Sequence, residues 1–271
     1  MRNVGRKLAF VLAASNHGTM IINRFDSHTA GSGESCGVGH HILEAGAFEP
    51  VEVETAVGLL ELRRRNYGDG VTAIDCGASI GVHAVEWATA MTGWGSVIAI
   101  EAQERLYYAL AGNIAINNCF NAVAINAAVS NDVGAMKIPV PDYQIASSFG
   151  SLELRPRDGN EFIGQPIDYA DEKCIAVQKI TLDAMNLSRV DLIKIDVEGM
   201  EFEVLQGAQR TIERHCPTIL VEITKSNCDT LRTWLDARGY KIMEAGVNLL
   251  AVHSTDLAWQ ESKPSKQPAA A

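Results

Sequence analysis

Val71-Thr-Ala-Ile-Asp75-Cys-Gly77-Ala78-Ser79-Ile80-Gly81-Val82-His83 reads as a strand, a glycine turn and the start of a helix. Val71, Ala73 and Ile74 form an apolar run that ends in Asp75. Val82, Val85, Trp87, Ala88 and Met91 then recur at helical spacing. Glycine takes unusual dihedrals and lets a ligand approach the backbone. A helix N-terminus carries N–H groups without intrahelical partners. The stretch therefore predicts a ligand cradle built by Gly77, Ala78 and Gly81, with the Asp75 carboxylate beside it. The G-x-x-x-G spacing differs from the G-x-G-x-x-G of dinucleotide sites. An acid at the strand end repels a pyrophosphate and suits a zwitterionic amino-acid ligand.

Outward from this turn the pattern alternates. Strands are expected at 71–75, 96–101, 122–126, 190–196 and 217–223, with helices at 79–91, 103–117, 199–213 and 226–237. Such alternation predicts an α/β, Rossmann-like, mostly parallel sheet with helices on both faces. After Gly239, Tyr240 to Met243 and Asn248 to His253 flank Ala245-Gly246, so the sheet gains an antiparallel C-terminal edge hairpin. Between Val129 and Gln178 no periodic helix appears, although Met136 to Val140 and Ile175 to Ile180 suit strands. Long loops of this kind often bind ligands, so substrate contacts are placed here.

Upstream, Pro50 opens a helix on Val53, Ala56, Val57 and Leu60, closed by Arg63, Arg64 and Arg65. These cations are expected to oppose the helix dipole. Residues 1–50 read as an appendage, 51–255 as the ligand-binding domain and 256–271 as a disordered tail. Arg2, Arg6 and Lys7 precede an apolar Leu8 to Ala14, a faint leader pattern. Two strands about the Asn16–Thr19 turn explain it more simply. Thr29 to Gly39 is Gly- and Ser-rich and reads as a loop, and His40–His41 as ordinary histidines rather than metal ligands.

The 271 residues carry a formal net charge of -10, which disfavours nucleic acid as a partner. No apolar run is long enough to span a bilayer. The six cysteines are scattered, with neither disulfide nor zinc spacing, so a cytoplasmic protein with no metal is expected.

Ligands of open α/β sheets bind at the carboxyl ends of the strands. Glu101 ends Val97 to Ile100, twenty residues after Gly81. A carboxylate there accepts from both hydroxyls of a ribose. An amino-acid end and a ribose end together describe S-adenosylmethionine (SAM). Asn126 and Ala127, at the third strand's end, are placed for its adenine. In Asp191-Leu-Ile-Lys194-Ile-Asp196-Val-Glu198-Gly199-Met-Glu201, alternation puts Lys194, Asp196 and Glu198 on one side. Two acids at one strand exit are costly, and they mark Asp196 and Glu198 as candidate catalytic groups. Glu222 ends another apolar strand and is expected in the same pocket. His83 is read as a core or capping residue.

These motifs resemble the FkbM-type SAM-dependent methyltransferases. DCGASIG resembles the family's glycine turn, with Ser79 where Asn is usual. Ala102 follows Glu101 where Pro is usual. Asn113 and Asn117 resemble its helix pattern, and Ser147, Ser148 and Ser151 its serine-rich segment. Asp191 to Glu201, followed by Leu205, Gly207, Ala208 and Glu222, is similar to its acidic block. The resemblance implies a class I methyltransferase sheet and methyl transfer to hydroxyl oxygens of natural products or saccharides. Asp196 or Glu198 is then the general base, and Ser147, Ser148 and Glu222 contact the acceptor. Three readings compete with it. They are a metal-assisted transferase using Asp196, Glu198 and Glu222, a non-catalytic SAM-binding module, and an NAD oxidoreductase.

Overall fold

The computed structural model describes residues 7–29 and 35–261. Two short antiparallel pairs come first: β1 (Phe10–Ser15) with β2 (Gly18–Asn23), and β3 (His28–Thr29) with β4 (Ser35–Cys36). Helices α1 (Val38–Ala45) and α2 (Pro50–Tyr67) lead into β5 (Val71–Cys76), α3 (Val82–Ala90), β6 (Gly95–Glu101), α4 (Glu104–Ile116) and β7 (Ala122–Asn126). Strands β8 (Ala128–Val129), β9 (Gly134–Pro139) and β10 (Cys174–Ile180) form a small separate sheet. Then follow β11 (Leu192–Ile195), α5 (Glu201–Gly207), α6 (Gln209–His215), β12 (Thr218–Glu222), α7 (Cys228–Asp236), β13 (Tyr240–Ala245), β14 (Asn248–His253) and α8 (Leu257–Glu261).

The seven-stranded sheet runs β13-β14-β12-β11-β5-β6-β7. The five strands from β12 to β7 are parallel, and β14 is antiparallel to both its neighbours. This is the expected Rossmann-like sheet with its antiparallel edge hairpin. The chain grows from β5 toward β7, then returns to β11 on the other side. That reversal opens a crevice at the carboxyl ends of β5 and β11, where ligands of such sheets bind. Alternate residues of β5 feed opposite faces: Val71 and Ala73 pack with Trp87 and Leu60, Ile74 and Cys76 with Leu205 and Leu231. A strand buried on both faces has to be apolar throughout, so the buried Asp75 stands out.

Residues before Pro50 share the main core rather than having one of their own: Met20, Ile22, Val38 and Ile42 pack with Trp87. Asn113 and Asn117 fasten them there. Asn113 Nδ2 donates to the Ile21 and Ile80 carbonyls at 3.1 and 2.8 Å, and Asn117 Nδ2 donates to Thr19 O at 2.8 Å. The β1–β2 hairpin stands where two strands were expected; Arg2 and Arg6 lie outside the described residues.

Several boundaries differ from the sequence reading. The third helix starts at Val82, because Ser79 and Gly81 take left-handed turn conformations. The helix expected over 199–213 breaks at Ala208 into α5 and α6. Gly207 lies against the chain at Ser130, whose carbonyl oxygen would sit 2.0 Å from an added Cβ. Val38–Ala45 is helical where a Gly/Ser loop had been expected to run on to Gly39. Asp256 is buried against Arg63 and Leu257–Glu261 is helical, so the tail begins later than residue 256. The remainder, 262–271, lies outside the described residues.

Candidate active site

The crevice between β5 and β11 holds a cavity of about 290 Å³. Asp75, Gly77, Ala78, Glu101, Ala127, Ser148, Asp196, Glu198 and Glu222 all line it. The turn after β5 is shaped by close approaches. A Cβ on Gly77 (φ 85°) would lie 1.7 Å from the Asp196 carbonyl oxygen, and one on Gly81 (φ 88°) would lie 2.4 Å from Leu110 Cδ1. Only glycine allows both the dihedral and the contact. Gly77 and Ala78 donate their N–H groups to the Ile100 carbonyl at 2.9 and 3.0 Å, and Ser79 N–H donates to Glu101 Oε2 at 2.9 Å. Those three N–H groups therefore build the turn and do not point at a ligand.

Glu101 Oε1 also accepts from Gln103 N–H at 2.7 Å. Burial pushes its carboxyl up to about 7 against the pull of these two backbone donors. Asp75 is 1% exposed, and its Oδ1 has no hydrogen-bond partner. Burial raises its proton affinity, although Lys194 opposes this. A buried orphan acceptor beside a glycine cradle fits a ligand that brings its own donor, such as an ammonium group.

Beyond Asp75 the wall is acidic. Asp196, Glu198 and Glu222 each place a carboxylate oxygen within 4.8 Å of the others. Lys194, itself buried, donates to Asp196 Oδ2 at 2.9 Å, and Lys225 pairs with Glu198 at 2.5 Å. Enclosure works to raise Asp196, but the Lys194 ammonium outweighs it and holds the carboxyl below the usual range. Burial and the Asp196 charge push Glu222 up to about 8 and Glu198 well upward. Three carboxyls this close cannot all be ionised cheaply, so the group holds a proton near neutral pH.

The chain matches the Methyltransferase FkbM domain over residues 75–242, more than half of its length. It belongs to the FkbM family of SAM-dependent methyltransferases. It is similar to Methyltransferase sdnD of Sordaria araneosa, 26% identical over 157 residues, a match covering 49% of this chain and 59% of that protein. Among solved structures it is similar to a methyltransferase FkbM from Methylobacillus flagellatus, at 17% identity and TM-score 0.48, over 68% of this chain and 44% of that one. It is also similar to the Pyrococcus abyssi tRNA (uracil-54, C5)-methyltransferase, at 12% identity and TM-score 0.42, over 91% and 44%.

Three residues expected in the FkbM site lie outside its cavity: Asn126, Ser147 and Gly81, which shapes the turn against Leu110. Asn126 turns its amide back to donate to the Glu101 and Ala102 carbonyls at 2.9 and 3.2 Å, so it braces the exit of β6 and does not face a ligand. Ser147 is wholly buried beneath the wall, with Oγ on Ile145 O and on Gln165 Nε2. Its neighbour Ser148 reaches the cavity and bonds Ser151 Oγ at 2.9 Å.

The 140–173 segment is packed onto the body: Phe149, Leu152 and Ile163 are buried, and Tyr143 lies 4.8 Å from the Phe149 ring. Ser148, Gly150, Ser151 and Leu154 bring it to the cavity. Further wall comes from Cys36, His41, Phe48 and Glu49 before β5, and Gln103 after β6, none of them expected at the site. The His40–His41 pair, read as ordinary histidines, the Glu49-Pro50 helix start and the polar Gln103 after Glu101 were the cues on offer. All six cysteines are free thiols, and no helix among the described residues is long and apolar enough to cross a membrane.

Proposed function

We propose that this FkbM methyltransferase methylates a hydroxyl oxygen of a saccharide or small natural product, with a carboxylate as general base. The observation that carries the reading is the trio Asp196, Glu198 and Glu222 beside the glycine turn, with the proton affinity of Glu222 raised to about 8. SAM supplies an electrophilic methyl group when bound. Asp75 accepts from its amino end within the Gly77–Gly81 turn, Glu101 accepts from its ribose, and Ala127 packs beside the adenine. Asp196 or Glu198 takes the acceptor proton as its oxygen attacks, and Glu222 shares that proton. Help of this kind is worth about 10²–10⁴-fold, because neutral alcohols are weak nucleophiles. Holding oxygen, methyl and sulfur in line adds to it. Ser148 and Glu222 contact the acceptor.

The acidic wall and the net charge of -10 favour a neutral, hydroxyl-rich acceptor over nucleic acid. The free thiols suit the cytoplasm. The test has two stages. Calorimetry with SAM and NAD side by side is expected to show binding of SAM only. Labelled SAM incubated with fractionated extract of the source cell is expected to label the small-molecule or saccharide fraction. Label in the nucleic-acid fraction, or SAM binding without any transfer, overturns the reading.

A further inference from the structure

Glu49, Glu52 and His83 form a second cluster at the same cavity, each offering a donor atom within 4.8 Å of the other two. Glu49 and His83 line the cavity itself, near Asp196 and Glu222. His83 is only 5% exposed, yet its Nε2 makes no hydrogen bond. Glu52 Oε1, also buried and without a hydrogen-bond partner, lies 3.3 Å from that nitrogen. The two atoms are within ion-pair reach of each other, which needs a protonated imidazole, but lack the alignment of a hydrogen bond. Burying two polar atoms in this way costs free energy unless something completes them.

We propose that Glu49, Glu52 and His83 bind a divalent transition-metal ion of the Zn²⁺ or Mn²⁺ type. Nitrogen and oxygen ligands sit about 2.0–2.2 Å from such ions. Two ligands at an angle of about 90–109° are then roughly 3.0–3.5 Å apart. The 3.3 Å between Glu52 Oε1 and His83 Nε2 falls within that span. Imidazole with carboxylates suits zinc and manganese better than calcium. Asn248 Nδ2 donates to the other oxygen of Glu52 at 2.7 Å, which aims Oε1 at the site as outer partners of metal ligands do. Glu49, on the open side, closes onto the ion by turning its side chain. Two carboxylates and a neutral imidazole balance a dication. The trio of Asp196, Glu198 and Glu222 is less suited, because Lys194 and Lys225 pair with it directly, whereas the Lys194 ammonium acts on Glu49 and Glu52 only through space. Among the described residues no Lys or Arg forms an ion pair with Glu49 or Glu52.

Placing this ion at the acceptor end of the cavity rests on the methyl-transfer reading; the binding itself does not. The test strips the tag-free, full-length chain with chelator, desalts it, and titrates Zn²⁺ by calorimetry and Co²⁺ by its visible absorption. One ion per chain is expected. His83→Ala should weaken binding more than about a hundredfold, and Asn248→Ala by about 10–100-fold, as for outer partners elsewhere. Glu49→Gln, at an exposed position, should also weaken binding; it keeps the test decisive if His83→Ala fails to fold. No binding, or unchanged affinity in Glu49→Gln, overturns the proposal. Loss of the ion in Glu222→Gln with full affinity in His83→Ala also overturns it, and moves the ion to the carboxylate trio. SAM affinity measured on the same samples separates the two readings: SAM binding without metal sinks the metal site alone.

Discussion

The two ends of the central sheet treat buried charge in opposite ways. At the end where β11 begins, Asp191 accepts from Arg189 Nε at 2.8 Å, Arg63 Nε at 3.2 Å and Thr72 N–H at 2.9 Å. Arg63 also pairs with the buried Asp256. Cations and backbone donors match the acids there. At the end where β11 finishes, five residues further on, acids outnumber cations. Asp75 Oδ1 and Glu222 Oε2 have no hydrogen-bond partner, and burial raises both carboxyls. Asp191 and Asp196 thus belong to one short block and do different work. A paired buried charge holds a fold together, whereas unsatisfied ones mark where a ligand or a proton has to arrive.

The largest expected effect breaks the unsatisfied end. Asp196→Asn keeps the shape and removes the charge. Turnover is expected to fall about 10²–10⁴-fold with SAM affinity retained. Undiminished turnover would remove Asp196 from the chemistry and leave Glu198 as the base. At the satisfied end, Arg63→Met takes the paired cation from the buried Asp256 and one of two arginines from Asp191. Breaking a buried pair from one side costs about 3–5 kcal/mol. Urea unfolding should show that loss, while the remaining folded protein keeps its SAM affinity. A loss below about 1 kcal/mol would mean that Arg63 is not what holds Asp256.

This contrast explains which parts were legible in the sequence. Strand-turn-helix at Val71 to His83, and acids ending apolar strands at Glu101, Asp196 and Glu222, are local patterns. Local chemistry predicts them because a buried strand excludes polar residues except where something calls for them. Asp191 lies in the same acidic block, but its distant partner Arg63 was not readable. Arg63 reaches it from a helix far upstream, and only the packed fold joins them. Long-range contact also defeats the other readings. Asn126 looked like a ligand group because it ends a strand, yet the neighbouring strand exit uses its amide. The N–H groups of Gly77 and Ala78 looked free, but the carbonyl of Ile100 on β6 takes both. Glu49 and Glu52 carry no signal beyond a helix start; the turn of the chain above β5 brings them to the cavity.

A smaller effect tests the unsatisfied end through pH. Glu101 keeps its proton up to about 7 in the ligand-free fold, while an unfolded chain releases it near 4.5. Folded protein therefore binds more protons between those values. That contribution to stability is full below about 4.5 and is lost as pH rises through about 7. The unfolding free energy from urea titration should fall between pH 5 and pH 8, by on the order of 2 kcal/mol from this group. Glu101→Gln should flatten that part of the slope while weakening SAM binding. A slope unchanged by the substitution would mean that Glu101 ionises freely in the fold.

The smallest effect returns to helix α2, one residue beyond Arg63. Arg64 also carries an ion pair, to Asp69 at 2.8 Å, and stacks 4.7 Å from the Trp94 ring. Its side chain is 45% exposed, where that of Arg63 is 10%. An exposed pair adds about 0.2–1 kcal/mol, and an exposed cation–ring contact about 0.5–1. Arg64→Ala should therefore cost no more than about 1–1.5 kcal/mol, and less in high salt. Because the two arginines share a helix, a charge and a pairing habit, only burial separates them. If Arg64→Ala proves as damaging as Arg63→Met, the number of ion pairs rather than their burial sets the stability of this end, and the contrast between the two ends of the sheet loses its physical basis.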